Sequence, residues 1–401
     1  MWQMTIPLST IKRIGVLTGG GDCPGLNAVI RAIAKTAIYD HNIRVFGIED
    51  GFQGLIENRV GELTSLHVSG ILTQGGTILG SNNRCNPAHL YAGIDKHGQP
   101  IYENQIPRCL DTIQRNHLDA LIVIGGDGTM TCAAPFVEKG VPVIGVPKTI
   151  DNDLVGTDIT FGFTTAYTTA TLALDRLHTT AASHHRAMVC EVMGRNAGWL
   201  ALHAGVASGS DVILIPEIPF DLESVARSVQ SRQHRQRGFS IIVCSEGCRP
   251  VDGDLIVDRT DPTSPDPIRL GGVGRFVADR IAELTGIETR TTVLGHVQRG
   301  GTPVAADRIL ASRFGHRAIE VLMHGKGSDG GRLIVMRDGQ LGEADLLLAA
   351  NKQRLVPLDD PIIKVARSVR TTFGEPLKKG GVEPTGTPED QASCPEPSSV
   401  I

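Results

Sequence analysis

Short apolar runs rich in β-branched residues recur along the chain, separated by stretches where apolar residues return every three or four positions. The runs are IKRIGVL (11–17), IRVFGI (43–48), ALIVIGG (120–126), VPVIGVP (141–147), AMVCEV (187–192), DVILIP (211–216) and FSIIVCSEG (239–247). The stretch LNAVIRAIAKTAI (26–38) is the clearest amphipathic one. Runs that are apolar throughout predict strands buried on both faces, as in parallel sheets covered by helices, so the pattern reads as repeated βα units in a three-layer α/β architecture. Such sheets bind ligands beyond the carboxyl ends of their strands, which directs attention to the polar segments that follow each run. Two further segments break the pattern. RPVDGDLIVDRTDPTSPDPIRL (249–270) is rich in Asp and Pro and reads as a surface excursion outside the catalytic machinery, and the tail from about 376 lacks apolar periodicity and reads as disordered.

Composition narrows the function classes. With 401 residues, 41% of them hydrophobic, the chain can bury a large core and divide into two or three domains. A net charge of -4 and 4% aromatic residues lack the basic footprint of a nucleic-acid binder, so any functional cations are expected to read something small. The apolar runs stop well short of the roughly 20 residues that cross a bilayer, and the opening MWQMTIPLST has no signal-peptide pattern. The expectation is a cytoplasmic protein with neither membrane nor nucleic-acid partners. Eight scattered cysteines read as reduced core residues, with Cys244 and Cys248 lacking the second pair a zinc site needs.

Two successive strand ends carry the chemistry. After LIVI comes Gly125-Gly126-Asp127-Gly128-Thr129, and after VIGVP comes Lys148-Thr149-Ile150-Asp151-Asn152-Asp153. Three carboxylates, a lysine and two hydroxyls beside glycines suit phosphoryl transfer. Asp127 can hold Mg2+ through water, Gly128 admits phosphate to the backbone, and Thr129 can donate its hydroxyl. Either Asp151 or Asp153 can accept the proton of an attacking alcohol, and Lys148 can offset charge on the transferring group. Earlier, IGVLT runs into Gly19-Gly20-Gly21-Asp22-Cys23-Pro24-Gly25 before a helix, a place where backbone N–H groups can meet phosphate, although this is neither a dinucleotide fingerprint nor a Walker loop. In the second half, Arg186, Met193-Gly194-Arg195, Glu246 and the segment Arg290 to Gly301, with His296 and Arg299, offer arginines for phosphate and a carboxylate for sugar hydroxyls.

From about Ile11 to about Ala350 the chain resembles the 6-phosphofructokinases. The resemblance rests on TGGGDCPGLN, GGDGT, PKTIDND, GTDITFGFTTA, the MGR triplet and RTTVLGHVQRGGTPVAADR. It implies two three-layer α/β/α lobes with mostly parallel sheets and an active site in the cleft between them. Residues 11–162 plus about 300–350 would form the nucleotide and Mg2+ lobe, and 163–299 plus about 351–375 the fructose 6-phosphate lobe. By position, Asp127 would hold Mg2+, Asp151 act as base and Asp153 support it. Gly21, Arg84, Gly128 and Thr129 would hold the nucleotide phosphates, with Phe52 near the base. Thr149, Met193, Gly194, Glu246, His296 and Arg299 would hold the sugar phosphate, and Arg195 would steady the transferring group. Arg186 and Arg290 match a pair that the family supplies from a neighbouring subunit, which implies a homotetramer with shared active sites.

The resemblance also frames the phosphoryl donor. ATP-dependent bacterial members carry glycine at the positions of Gly128 and Lys148, whereas pyrophosphate-dependent members carry aspartate and lysine; this chain has one of each. A side chain at 128 would block the α-phosphate of ATP, whereas a lysine at 148 blocks nothing obvious, so the reading favours ATP, with pyrophosphate as the alternative donor. Other kinases with a GGDGT loop would not be expected to carry TIDND or the Arg290 to Arg308 signature, and a regulatory subunit would lack a catalytic carboxylate. For allostery, Arg31, Arg237 and the acidic Asp211 match effector-site positions while Lys35 replaces an arginine, which suggests altered control.

Overall fold

The structure is a computed structural model that describes residues 11–234, 238–260, 267–325, 331–350 and 352–376. The tail read as disordered lies almost wholly outside the described residues, as do Arg237 and Cys394.

The apolar runs become the strands of two sheets. In the first, Arg13–Thr18 lies between parallel neighbours Arg44–Ile48 and Ala120–Gly125, and Ala120–Gly125 is followed by Val143–Thr149 and Arg332–Arg337, also parallel. Antiparallel strands Val60–Leu63 and Gln340–Asp345 close its two edges, and the short Phe161–Gly162 adds to Val143–Thr149. The second sheet is wholly parallel, in the order Val212–Leu214, Ser240–Ser245, Ala187–Val192, Thr289–Val293. The segment from Arg290 begins in an edge strand, Thr289–Val293, which is partly exposed and therefore lacks the apolar signature of its neighbours.

Alternation along these strands explains why they need apolar residues at every position. Ile14, Val16, Ile122 and Ile124 face one core while Leu17, Leu121 and Val123 face another, built with helices Phe52–Glu57, Ile106–Arg115 and Asp127–Glu138. In the second sheet Met188, Cys190 and Val192 join the first core, whereas Ala187, Val189 and Ile242 pack with helices Leu222–His234 and Val273–Thr285. The shared core is filled by helices Leu26–His41, Phe163–His184, Trp199–Ala207 and Ala305–Met323. The result is the expected pair of α/β/α lobes, with one continuous apolar core running between the sheets.

The chain crosses between the lobes more than once. After Gln340–Asp345 completes the first sheet, Gln353 bridges Leu154, helix Pro361–Ser368 packs on Trp199–Ala207, and Thr372 pairs with Val212 of the second sheet. Within the excursion at 249–270, Val257–Thr260 pairs antiparallel with Ile268–Leu270; residues 261–266 lie outside the described residues.

Helices Leu26–His41 and Ala305–Met323 meet at Gly315, where an added Cβ would lie 2.8 Å from both Val29 O and the Ala32 Cβ. Neither a backbone carbonyl nor a short alanine can move aside cheaply. Gly315→Val is therefore expected to destabilise the fold by roughly 2–3 kcal/mol through overpacking, read as a lower denaturant midpoint with an unchanged slope; an unchanged midpoint would contradict the close crossing.

Candidate active site

Strand Ala120–Gly125 hands over to helix Asp127–Glu138 through Gly126, whose backbone is extended, so Asp127 stands in the first turn at the sheet's carboxyl end. The Thr129 side chain is buried between two glycines: a Cβ at Gly125 would come within 2.3 Å of it and one at Gly19 within 2.6 Å. Gly128 is the opposite case. It is exposed, and a Cβ there would meet no atom within 4 Å, so the space beside it is open to a ligand.

Strand Val143–Thr149 ends in a turn that its own side chains hold. Asn152 takes a left-handed backbone (φ 53°), and its Oδ1 accepts a hydrogen bond from Thr160 N at 3.0 Å. The Asp151 N–H donates to Thr149 Oγ1 at 3.0 Å, which aims the Asp151 carboxyl off the strand end. Asp151 Oδ1 is buried and accepts no hydrogen bond among the described residues. Burial raises the Asp151 pKa and Asp127 adds to this, while Arg299, Lys148 and Arg195 oppose it. Asp153 is pushed up to about 8 by burial and by the Asp151 and Asp127 charges. Lys148 is buried as well, its pKa lowered chiefly by desolvation, and its Nζ donates to Gly21 O at 2.5 Å.

Gly21 also faces the second lobe. A Cβ there would strike the Arg299 guanidinium at 2.7 Å, and Arg299 donates to Asp22 O at 3.1 Å. Asn82 pairs with Gly19 and accepts from Arg84 N, so the GSNNR turn lies beside the glycine loop. Phe52 is 4% exposed and stacks on Phe136 at 5.7 Å, which places its ring in the core below that loop.

A cavity of about 290 Å3 opens at the carboxyl end of Ala187–Val192, lined by Met193, Glu246 and His296 together with Glu191, Leu270 and Gly271. Arg195 sits at its rim with a left-handed backbone (φ 48°); its N–H donates to Glu246 Oε1 at 3.2 Å and its guanidinium reaches Ile268 O at 3.4 Å. Gly247 has to be glycine, because a Cβ would lie 1.7 Å from Arg195 O. Asp258, Leu270, Gly271 and Gly272 make this strand pair a wall of the cavity. This corrects the expectation that the 249–270 excursion stands apart from the site; its polar sequence reflects an exposed strand pair whose root closes over the ligand space. Glu191 holds that root by accepting from Gly272 N and, at 2.8 Å, from Gly274 N.

Comparison with known proteins decides the family. The phosphofructokinase family model matches residues 13–322. The chain belongs to the phosphofructokinase family. It is 45% identical over 369 residues to the ATP-dependent 6-phosphofructokinase 2 of Clostridium perfringens, covering 92% of this chain and all of that one. It is also 45% identical over 364 residues to the ATP-dependent 6-phosphofructokinase of Spirochaeta thermophila, covering 91% and 98%. In fold it matches the crystal structure of a pyrophosphate-dependent phosphofructokinase from Nitrosospira multiformis, with a TM-score of 0.73 over 92% of this chain and 95% of that one at 21% identity.

In this phosphofructokinase the anticipated residues gather unevenly. Asp127, Asp151, Asp153, Lys148 and Thr149 cluster at adjoining strand ends of one sheet, and the charges of Arg299, Arg195 and Glu246 act on Asp151 from the other lobe. Arg186 and Arg290 lie elsewhere. Both hold the carboxylate of Glu288, Arg186 through Nε at 2.6 Å, and Arg186 precedes the strand whose far end leads into Met193. Seven residues of extended chain, roughly 23 Å, separate Arg186 from Met193. Asp211 does not resemble a vacant metal ligand: Oδ1 pairs with Arg232 at 2.7 Å and Oδ2 accepts from Ile241 N at 2.9 Å. Sequence reasoning missed Glu191 and the segment around Gln353, the first because it lies inside an apolar run, the second because it carries no motif. Among the described residues no helix is long and apolar enough to cross a membrane.

Glu246 yields a stability prediction. Burial and the Asp151 charge raise its pKa to about 7, so its contribution to stability is fully present below about 4.5 and is lost as pH rises through about 7. Glu246→Gln cannot ionise. Its melting temperature relative to the parent is expected to rise between pH 5 and pH 8, by the equivalent of about 1–3 kcal/mol; equal differences at both pH values would refute the desolvated carboxylate.

Proposed function

We propose that the chain is an ATP-dependent 6-phosphofructokinase that moves the γ-phosphate of ATP to the 1-hydroxyl of fructose 6-phosphate. The observation that carries this reading is Asp151: a carboxylate with one buried, unpartnered oxygen, lying between Lys148 on its own loop and Arg299 and Arg195 from the opposite lobe. Burial makes it a stronger base than a free aspartate, and the surrounding cations keep it ionised enough to act. Asp151 accepts the hydroxyl proton, Asp153 adds negative charge behind it, and Arg195 compensates charge spread over the transferring group. Met193, Gly194, Glu246, His296, Arg299 and Thr149 orient the sugar phosphate.

The residues present fit Mg2+. Asp127 and Asp153 approach one another closely enough for both to contact Gln353 Nε2, and two carboxylates suffice for an ion that takes its remaining ligands from water and phosphate. Among the described residues no group of three or more His, Cys, Asp or Glu forms a closed metal cage. Bound there through Asp127, the ion would neutralise phosphate charge.

Open space at Gly128 and the Gly19 to Gly21 loop with Arg84 favour a nucleotide over pyrophosphate, while Lys148, tied to Gly21 O, acts by holding that loop. We assign 11–162 and about 300–350 to the nucleotide lobe, and 163–299 and about 351–375 to the sugar lobe; the sheet positions of Arg332–Arg337 and of Thr372 support this division. The engagement of Arg186 and Arg290 with Glu288, rather than with the residues that line the cavity, supports their service to a neighbouring subunit in a homotetramer, and nothing in the composition points away from the cytoplasm.

Two measurements test the reading. Asp151→Asn is expected to lower kcat by about 10^2–10^4-fold for fructose 1,6-bisphosphate formation from ATP, with the KM for fructose 6-phosphate changing much less. Gly128→Asp is expected to abolish turnover with ATP. Retention of ATP turnover by that variant, or turnover of the parent with pyrophosphate alone, would reverse the choice of donor.

A further inference from the structure

Gln353 has no place in any motif, yet its side chain ends among the reacting carboxylates. Its Nε2 lies 3.3 Å from Asp127 Oδ2 and 3.3 Å from Asp153 Oδ2, and its Oε1 accepts from Asn196 Nδ2 at 2.9 Å. Asn196 follows Arg195, so one amide joins the loop after Ala120–Gly125, the loop after Val143–Thr149 and the Gly194 to Asn196 turn of the other lobe.

The backbone around it is held firmly. Gln353 bridges Leu154, and Arg354 N donates to Asp153 O at 2.6 Å. The Arg354 guanidinium donates to Asn152 O at 2.8 Å and Asp158 O at 3.0 Å and lies 4.2 Å over the Trp199 ring, while Trp199 Nε1 donates to Arg354 O at 2.8 Å. These contacts grip both lobes on either side of the amide. Its origin is therefore fixed, and a glutamine amide has the two N–H donors that two separate carboxylates require.

The residue type suits the position. A lysine there would compete with a divalent cation for the same carboxylates, and a carboxylate would repel them. A neutral amide does neither: it engages one oxygen, Oδ2, of each aspartate and fixes how the two carboxyl planes stand to one another. At 3.3 Å each bond is long and contributes modestly to stability, so the geometric effect outweighs the energetic one.

We propose that Gln353 is a positioning residue for phosphoryl transfer, orienting Asp127 and Asp153 through one amide nitrogen while its carbonyl ties them to the Arg195 turn of the sugar lobe. This rests on the kinase reading given above. Gln353 acts through the aspartates and touches no substrate.

The test compares the parent with Gln353→Leu, which keeps the side chain's approximate size but not its polar ends, and with Gln353→Glu, which keeps its length but supplies acceptors only. The full chain is used throughout, with kcat and the KM for fructose 6-phosphate measured alongside thermal stability. Mn2+ binding in the presence of a non-hydrolysable ATP analogue is followed by EPR. Gln353→Leu is expected to lose about 10- to 100-fold in kcat, the range found when groups that orient metal-holding side chains are removed. Its KM should change less than threefold, its melting temperature should stay near the parent's, and the Mn2+ spectrum should change. Gln353→Glu should lose at least as much kcat. Parent-like kcat in either variant, or a kcat loss with an unaltered Mn2+ spectrum, overturns the assignment. A parent protein that makes no fructose 1,6-bisphosphate from either donor overturns the kinase reading instead, so the two failures are distinguishable.

Discussion

Three carboxylates, Asp127, Asp151 and Asp153, are held close together at the ends of two adjacent parallel strands, and two of them have raised pKa values because water is largely excluded. Such an arrangement is unstable by itself. Much of the surrounding structure supplies compensation: buried Lys148 from the same loop, Arg299 and Arg195 from the other lobe, and the neutral amide of Gln353. Lys148 reaches the Gly21 carbonyl and Arg299 the Asp22 carbonyl, so the cations that tame the carboxylates also fix the glycine loop where phosphate is expected. Catalytic charge and loop geometry are thus one problem with one solution.

The sheet interiors were legible because strands buried on both faces must be apolar at every position, and seven such runs became strands of the two sheets. Strands at sheet edges were not. Thr289–Val293 carries Thr and Arg, and Val60–Leu63 has two exposed positions, so neither shows a period that separates it from a loop. The chemistry of Asp127 to Thr129 and Lys148 to Asp153 was readable because those residues follow directly from apolar runs. Gln353 was not, since its importance arises from a chain crossing that only the folded topology creates.

Phe52 and Asp211 show how the same residue type takes different work in different surroundings. Phe52, expected near the base, has its ring parallel to Phe136 in the core, where its burial supports the loop from below. Asp211 holds an acidic position, but Arg232 and the Ile241 N–H satisfy its oxygens, so it serves as an internal strut between a helix and a strand. The acidic position that resembles an effector-site carboxylate is therefore satisfied within the fold.

The late entry of the 352–356 segment bears on synthesis. The Asp153 carboxylate and the Gln353 amide that contacts it are 200 residues apart in sequence, and Arg332–Arg337 joins a sheet whose other central strands end by Thr149. On a ribosome adding about 5–20 residues per second, the first lobe waits roughly 10–40 s for its last parallel strand and the amide that follows it. During that interval the part of the Val143–Thr149 strand around Ile144 and Gly145 is an open edge, and its neighbouring carboxylates lack their contact from the far end of the chain. Nascent chains stalled between these points would be the species most in need of chaperone cover.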